Sequence, residues 1–224
     1  MGDVLGSMLP LALGVAISPV PIIAVILMLF SGKAKVNSLA FLLGWVAGLS
    51  AAFWIVYAVA SAADIATSSG ASKGTAVLRL VLGVLLLFMA LRNWRKRPGP
   101  GEEPEMPKWM SAIDEFTPLK SLGLAALLSG VNPKNLVLTL AASMAIAQGG
   151  LATGEIVISF AIFLAIGAAT VAVPVVINLV MGTRAEKTLN SWKAWLTENN
   201  ATVMFVLLLV FGVVLIGKGI SGLG

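Results

Sequence analysis

Six apolar runs divide this 224-residue chain, at about 8–30, 37–61, 75–93, 119–147, 154–181 and 201–220, and in two of them a proline falls near the middle. A bilayer span needs about 20 mostly apolar residues, so each run predicts a crossing. Within lipid, every backbone group that a proline frees must be satisfied inside the protein or by trapped water. The interruptions, "SPVP" at 18–21 and "NPKN" at 132–135, therefore constrain the fold more than any other feature.

Composition agrees with lipid as the solvent. Apolar residues make up 58 % and charged residues 11 % of the chain, whereas about a quarter of a soluble domain is charged. Cysteine and histidine are both absent, which excludes disulfides, thiol redox chemistry and Cys/His metal sites. No cofactor or metal is expected. The net charge of +5 sits mainly in connections, as membrane topology requires, so nucleic acid is not an expected partner.

Orientation follows from which connections carry that charge. Lys33, Lys35, Arg92, Arg95, Lys96, Arg97, Lys108, Lys120, Arg184, Lys187 and Lys193 follow runs one, three and five. The positive-inside rule places those connections in the cytoplasm and both termini outside. The first residues, with Asp3 and no basic residue, read as the start of a permanent span rather than a cleavable signal. Two cytoplasmic stretches carry apolar residues at helical spacing: Trp109, Ile113 and Phe116 in one, Leu189, Trp192 and Leu196 in the other. Lying in the headgroup layer and packing on the bundle are equally open to them.

The halves resemble each other. "RLVLGVLLLFMA" (79–90) matches "LLVFGVVLIGKG" (208–219), pairing Gly83 with Gly212; "AISPVPIIAVIL" (16–27) matches "GVNPKNLVLTLA" (130–141), pairing Pro19 with Pro133. "GWVAGLSAAF" (44–53) loosely matches "FLAIGAATVA" (163–172) between them. Three spans per half make the halves antiparallel, the inverted-repeat plan of many secondary transporters. The expected fold is an all-α integral membrane protein of six helices, with one repeat over 1–93, a cytoplasmic linker over 94–118 and a second repeat over 119–224.

The residue before a proline avoids helical backbone, and Ser or Asn followed by Pro is the favoured start of a helix. Ser18–Pro19 and Asn132–Pro133 thus read as cap and first residue of half-helices beginning at membrane depth. Helix N-termini attract anions, and Lys134 adds a full charge there. With no Asp or Glu in any span core, a bound anion is the favoured counter-ion; the alternatives are a deprotonated Lys134 or one paired with carbonyls released by the break. The expected substrate-binding residues are Ser18, Pro19, Pro21, Asn132, Pro133, Lys134 and Asn135. Secondary candidates are Pro174 and Asn178, which either open the fifth span near its cytoplasmic end or mark a packing kink, and Arg79, which either snorkels outward or lines a cavity. Gly44 and Gly48 form a GxxxG, read as internal packing before dimerisation; homo-oligomerisation stays open. Trp45, Trp54 and Tyr57 read as ordinary membrane aromatics.

"SPVPIIAVILML", then W-x-x-x-I-D-x-x-T-P-L-K from Trp109 to Lys120, then "NPKN" resemble the GAP family across nearly the whole chain. These are peptidoglycolipid- or sulfolipid-addressing (Sap-like) proteins of actinobacterial membranes, placed in the lysine-exporter (LysE) superfamily. The resemblance implies movement of cell-envelope lipids across the bacterial inner membrane, with membrane lipids and an anionic lipid or glycolipid substrate as partners. A flippase for such a lipid is the leading expectation. The alternatives are a small-solute exporter for an amino acid or cation, disfavoured by the lack of intramembrane carboxylates, and an accessory subunit of another exporter. An enzyme is not expected, since no acid–base pair lies at membrane depth.

Overall fold

The structure is a computed structural model that describes residues 1–62, 73–99, 102 and 107–223. Its described residues form eight α-helices and two short 3-10 segments, with no strand. The helices are α1 (Gly2–Ala16), α2 (Pro19–Leu29), α3 (Ala34–Ala62), α4 (Lys73–Arg95), α5 (Pro118–Gly130), α6 (Pro133–Ala147), α7 (Thr153–Met181) and α8 (Glu186–Ser221).

Both central prolines break their runs. α1 and α2 meet at an angle of 49°, and α5 and α6 at 60°. By length and composition three segments are able to cross a membrane, or up to five if each bent pair counts as one span. One segment, Thr153–Ser221, contains both α7 and α8. One expectation differs here, and one open reading is resolved. The amphipathic stretch near 189–196 and the last apolar run are one continuous helix, because no Gly or Pro interrupts 186–211. The fifth run stays a single helix through Pro174, which is buried, and ends at Gly182, whose N–H reaches the Asn178 carbonyl. A proline removes one bond and kinks a helix, but neighbours supply the missing support in a packed bundle. The expected connection at 61–75 falls mostly outside the described residues.

The outer surface is apolar. Leu43, Ile55, Val84, Phe88 and Val213 are all exposed, a surface suited to lipid and a liability in water. Inside, small residues bring helices together. A Cβ on Gly44 would strike the backbone of Leu122, and one on Gly48 the backbone of Ala126, so the GxxxG of α3 is an internal seat for α5. Gly83 and Gly212 face each other across α4 and α8, each close to the other's carbonyl oxygen. Trp45 is fully buried and donates its indole N–H to the Gly167 carbonyl at 3.1 Å, tying α3 to α7. Phe53 heads a ring cluster with Trp54, Tyr57, Phe160 and Phe163.

The linker stretch Lys108–Glu115 is a 3-10 helix whose Met110 and Ile113 are buried, with Trp109 and Phe116 packed against the core. Asn37 Nδ2 donates to the Phe116 carbonyl at 2.9 Å. This stretch packs on the bundle. At the start of α8, Leu189 is buried while Trp192 and Trp195 are exposed.

Candidate functional site

The two breaks lie against each other. At the first, the chain turns at Ile17 and Ser18 before Pro19 starts α2. A helix end leaves its last carbonyls without partners, and here every one from Leu13 to Ile17 finds one. Ile17 N–H bonds the Leu13 carbonyl at 2.9 Å, and Ser18 N–H bonds the Ala16 carbonyl at 2.8 Å. The Thr170 hydroxyl, from α7, also donates to the Ala16 carbonyl. The Ser18 hydroxyl reaches the Val15 carbonyl at 2.7 Å. Lys134 Nζ then donates to the Gly14 carbonyl at 2.7 Å, the Ile17 carbonyl at 2.9 Å and Ser18 Oγ at 2.7 Å.

An ammonium has three donors, and all three of Lys134 are engaged. The side chain is 1 % exposed. Of the readings open for Lys134, the geometry matches the pairing with carbonyls released by the break. The physical reason is the C-terminus of α1. A helix C-terminus carries about half a negative charge, and Lys134 sits on it, bonded to two of its carbonyls.

Ser18 also departs from its expected role. It occupies the cap position of α2 with extended backbone, yet its side chain caps no N–H there. Its single proton lies between the Val15 carbonyl and, at 3.3 Å, Asn135 Oδ1. Pro19 and Pro21, both buried, bring no N–H to the first turn of α2, and Ile22 N–H bonds the Ser18 carbonyl. That terminus is therefore poor in anion-binding donors.

At the second break, Asn132 does cap. Its side chain accepts from Lys134 N–H at 3.1 Å, and its carbonyl accepts from Leu136 N–H. Asn135, fully buried, donates from Nδ2 to the Leu128 carbonyl at 3.0 Å, closing the end of α5 as Lys134 closes the end of α1. Pro133 starts α6 but is exposed. Of the seven expected residues, the structure joins Ser18, Lys134 and Asn135 directly, and the other four shape the turns that hold them.

Two cavities flank this cluster. One, of about 510 Å³, lies between α1, α4, α6 and α8; Leu11 and Ala141 line it one turn from Gly14 and Leu138 at the break. Arg79 is on its wall, half-buried, donating from Nη2 to Gln148 Oε1 at 2.9 Å. The other, of about 360 Å³, is almost wholly apolar and runs from Ile22 and Thr170 to Trp192 and Trp195. Pro174 and Asn178 line neither cavity. Sequence reasoning missed Thr170, Gly14 and Lys218; only Gly14, a glycine four residues before the "SP" pair, carried a readable signal.

No curated protein and no solved structure gives a significant match to the chain. A family model described as Sap, sulfolipid-1-addressing protein, matches residues 8–221, a range containing both breaks and the helices that pack on them. The chain belongs to the sulfolipid-1-addressing protein family.

Proposed function

We propose that this protein moves an anionic cell-envelope lipid or lipid-linked glycan across the bacterial inner membrane, acting as a transporter and not as an enzyme. The family supplies the lipid, since it is named for the addressing of a sulfolipid. The chain supplies the device. Lys134, from one broken helix pair, closes the open end of the other and bonds Ser18 at its turn, so the two breaks are held together by a handful of hydrogen bonds. This crossing is the observation that carries the proposal. Releasing it frees the two broken helix pairs to move apart, and Ser18, Pro19, Pro21, Asn132, Pro133, Lys134 and Asn135 act as the gate that a headgroup must pass.

The topology proposed for this is six crossings in two inverted repeats, the plan of the lysine-exporter superfamily. A single helix over Thr153–Ser221 would be about 100 Å long at ~1.5 Å per residue, more than three times the hydrocarbon core of about 30 Å. We take α7 and α8 as separate crossings joined on the cytoplasmic side at Gly182–Ala185. Gly83 facing Gly212 supports the repeat, because matched positions meet on the axis relating two halves. A reporter fused after Arg97 should be cytoplasmic and one fused to the C-terminus external.

The test is purified protein in liposomes carrying a trace of a fluorescent anionic lipid. Exchange between leaflets should speed up several-fold over empty liposomes, and more for the anionic lipid than for a zwitterionic one. No acceleration for any lipid would leave the protein as an accessory subunit, and acceleration of a free amino acid alone would make it a solute exporter.

A further inference from the structure

The cavity of about 510 Å³ between α1, α4, α6 and α8 has a feature that the gate does not use. Arg79 and Lys218 both line it, from neighbouring helices. They are brought together by close packing: a Cβ on Gly219 would meet Leu80 and lie 3.0 Å from the Ala76 carbonyl. Two like charges on adjoining walls repel unless something between them is negative. Among the described residues, the one carboxylate lining the cavity is Asp3, and it is not hydrogen-bonded to either. Arg79 spends one donor on Gln148 and keeps most of its five. Gln148 in turn donates from Nε2 to Thr75 Oγ1 at 3.2 Å, which fixes the amide that holds Arg79 in place.

The same cavity changes character with depth. Its floor is Leu11, Phe211 and Leu215, all buried and apolar. Pro10 of α1 and Val214 of α8 line it and are exposed, so it reaches the lipid-facing surface between those helices. A site with two cations, an apolar floor and a side opening fits an amphiphile rather than a free ion.

We propose that this cavity binds the sulfate or phosphate headgroup of an amphiphile, with Arg79 and Lys218 as its ligands and the alkyl portion leaving between α1 and α8. Arg79 provides directional, paired hydrogen bonds to the oxyanion and Lys218 a mobile point charge. Asp3 lines the cavity too, and its carboxylate opposes the anion. The inference deepens the lipid-transport reading and rests on it for the amphiphilic half of the ligand.

The experiment measures binding of three probes to the purified full chain: a sulfated galactosylceramide, the same lipid without its sulfate, and sodium sulfate. The sulfated lipid should bind about tenfold or more tightly than the unsulfated one, the worth of a charge-assisted pair of contacts. It should also bind more tightly than sodium sulfate, because the floor and side opening contribute. Arg79→Gln with Lys218→Gln should erase the preference for sulfate. Asp3→Asn should raise affinity for the sulfated lipid about threefold or more, a gain that misfolding cannot imitate. A preference that survives the double variant, or no gain from Asp3→Asn, overturns the site. Sodium sulfate binding as tightly as the sulfated lipid overturns the amphiphile. None of these failures touches lipid exchange by the wild type, whose absence would instead strike the transport reading itself.

Discussion

Lys134→Met should cost about 2–6 kcal/mol of stability, and lipid movement should be lost along with it. The estimate comes from two carbonyls, that of Gly14 in a buried contact and that of Ile17 in a part-buried one, left without partners at about 1–3 kcal/mol each. Methionine keeps the stem and the packing, so the loss reads the hydrogen bonds and not a cavity. Lys134→Arg should be intermediate, because the charge survives but a planar guanidinium does not fit a site that is 1 % exposed. Lys134→Glu should be worst, placing a carboxylate against the negative end of α1 and the carbonyl oxygens of Gly14 and Ile17. Thermal unfolding of each variant in one detergent checks the order. A Met variant as stable as wild type would return Lys134 to the role of a ligand-binding charge.

The second large effect concerns the seat of α5 on α3. Gly44→Ala and Gly48→Ala should each destabilise by about 1–3 kcal/mol, the usual cost of overpacking. In both cases the added methyl meets backbone of α5, at Leu122 and Ala126, which no rotamer change relieves. Gly123→Ala is the control. It lies on α5 itself with nothing within 4 Å of the added carbon, so the better helix propensity of alanine, about 1 kcal/mol, should show through as a neutral or stabilising change. Equal behaviour of all three in thermal unfolding would mean that the α3–α5 contact is looser than described.

Much of the architecture was legible because membrane helices announce themselves by length and apolarity, and prolines by backbone chemistry. "SP" and "NP" located both breaks, since the residue before proline leaves helical backbone wherever it stands. Gly44 and Gly48 were readable as a close contact from their spacing alone. The role of Lys134 was legible only as one of several readings. A break creates a C-terminus as well as an N-terminus, and pairing with the released carbonyls was weighed below an anion at the N-termini. The carbonyls of Gly14 and Ile17 carry no side-chain signature, so nothing in "ALGVAISP" says that they need a donor from residue 134. The continuity of α7 was hidden for a related reason: Pro174 has the same chemistry as Pro19 and Pro133, but no Ser or Asn precedes it to start a new helix. Lys218 and Arg79 lie more than a hundred positions apart, and only the packing of α4 on α8 makes them neighbours.

The central claim is that Lys134 and Ser18 form one interaction joining the two broken helix pairs. A double-mutant cycle of Lys134→Met and Ser18→Ala, read as unfolding free energy in a single detergent, measures that interaction directly. The two side chains touch at 2.7 Å, and the account predicts a coupling of about 1–3 kcal/mol, in the range for residues sharing a network. Effects that add to within about 0.5 kcal/mol would contradict it.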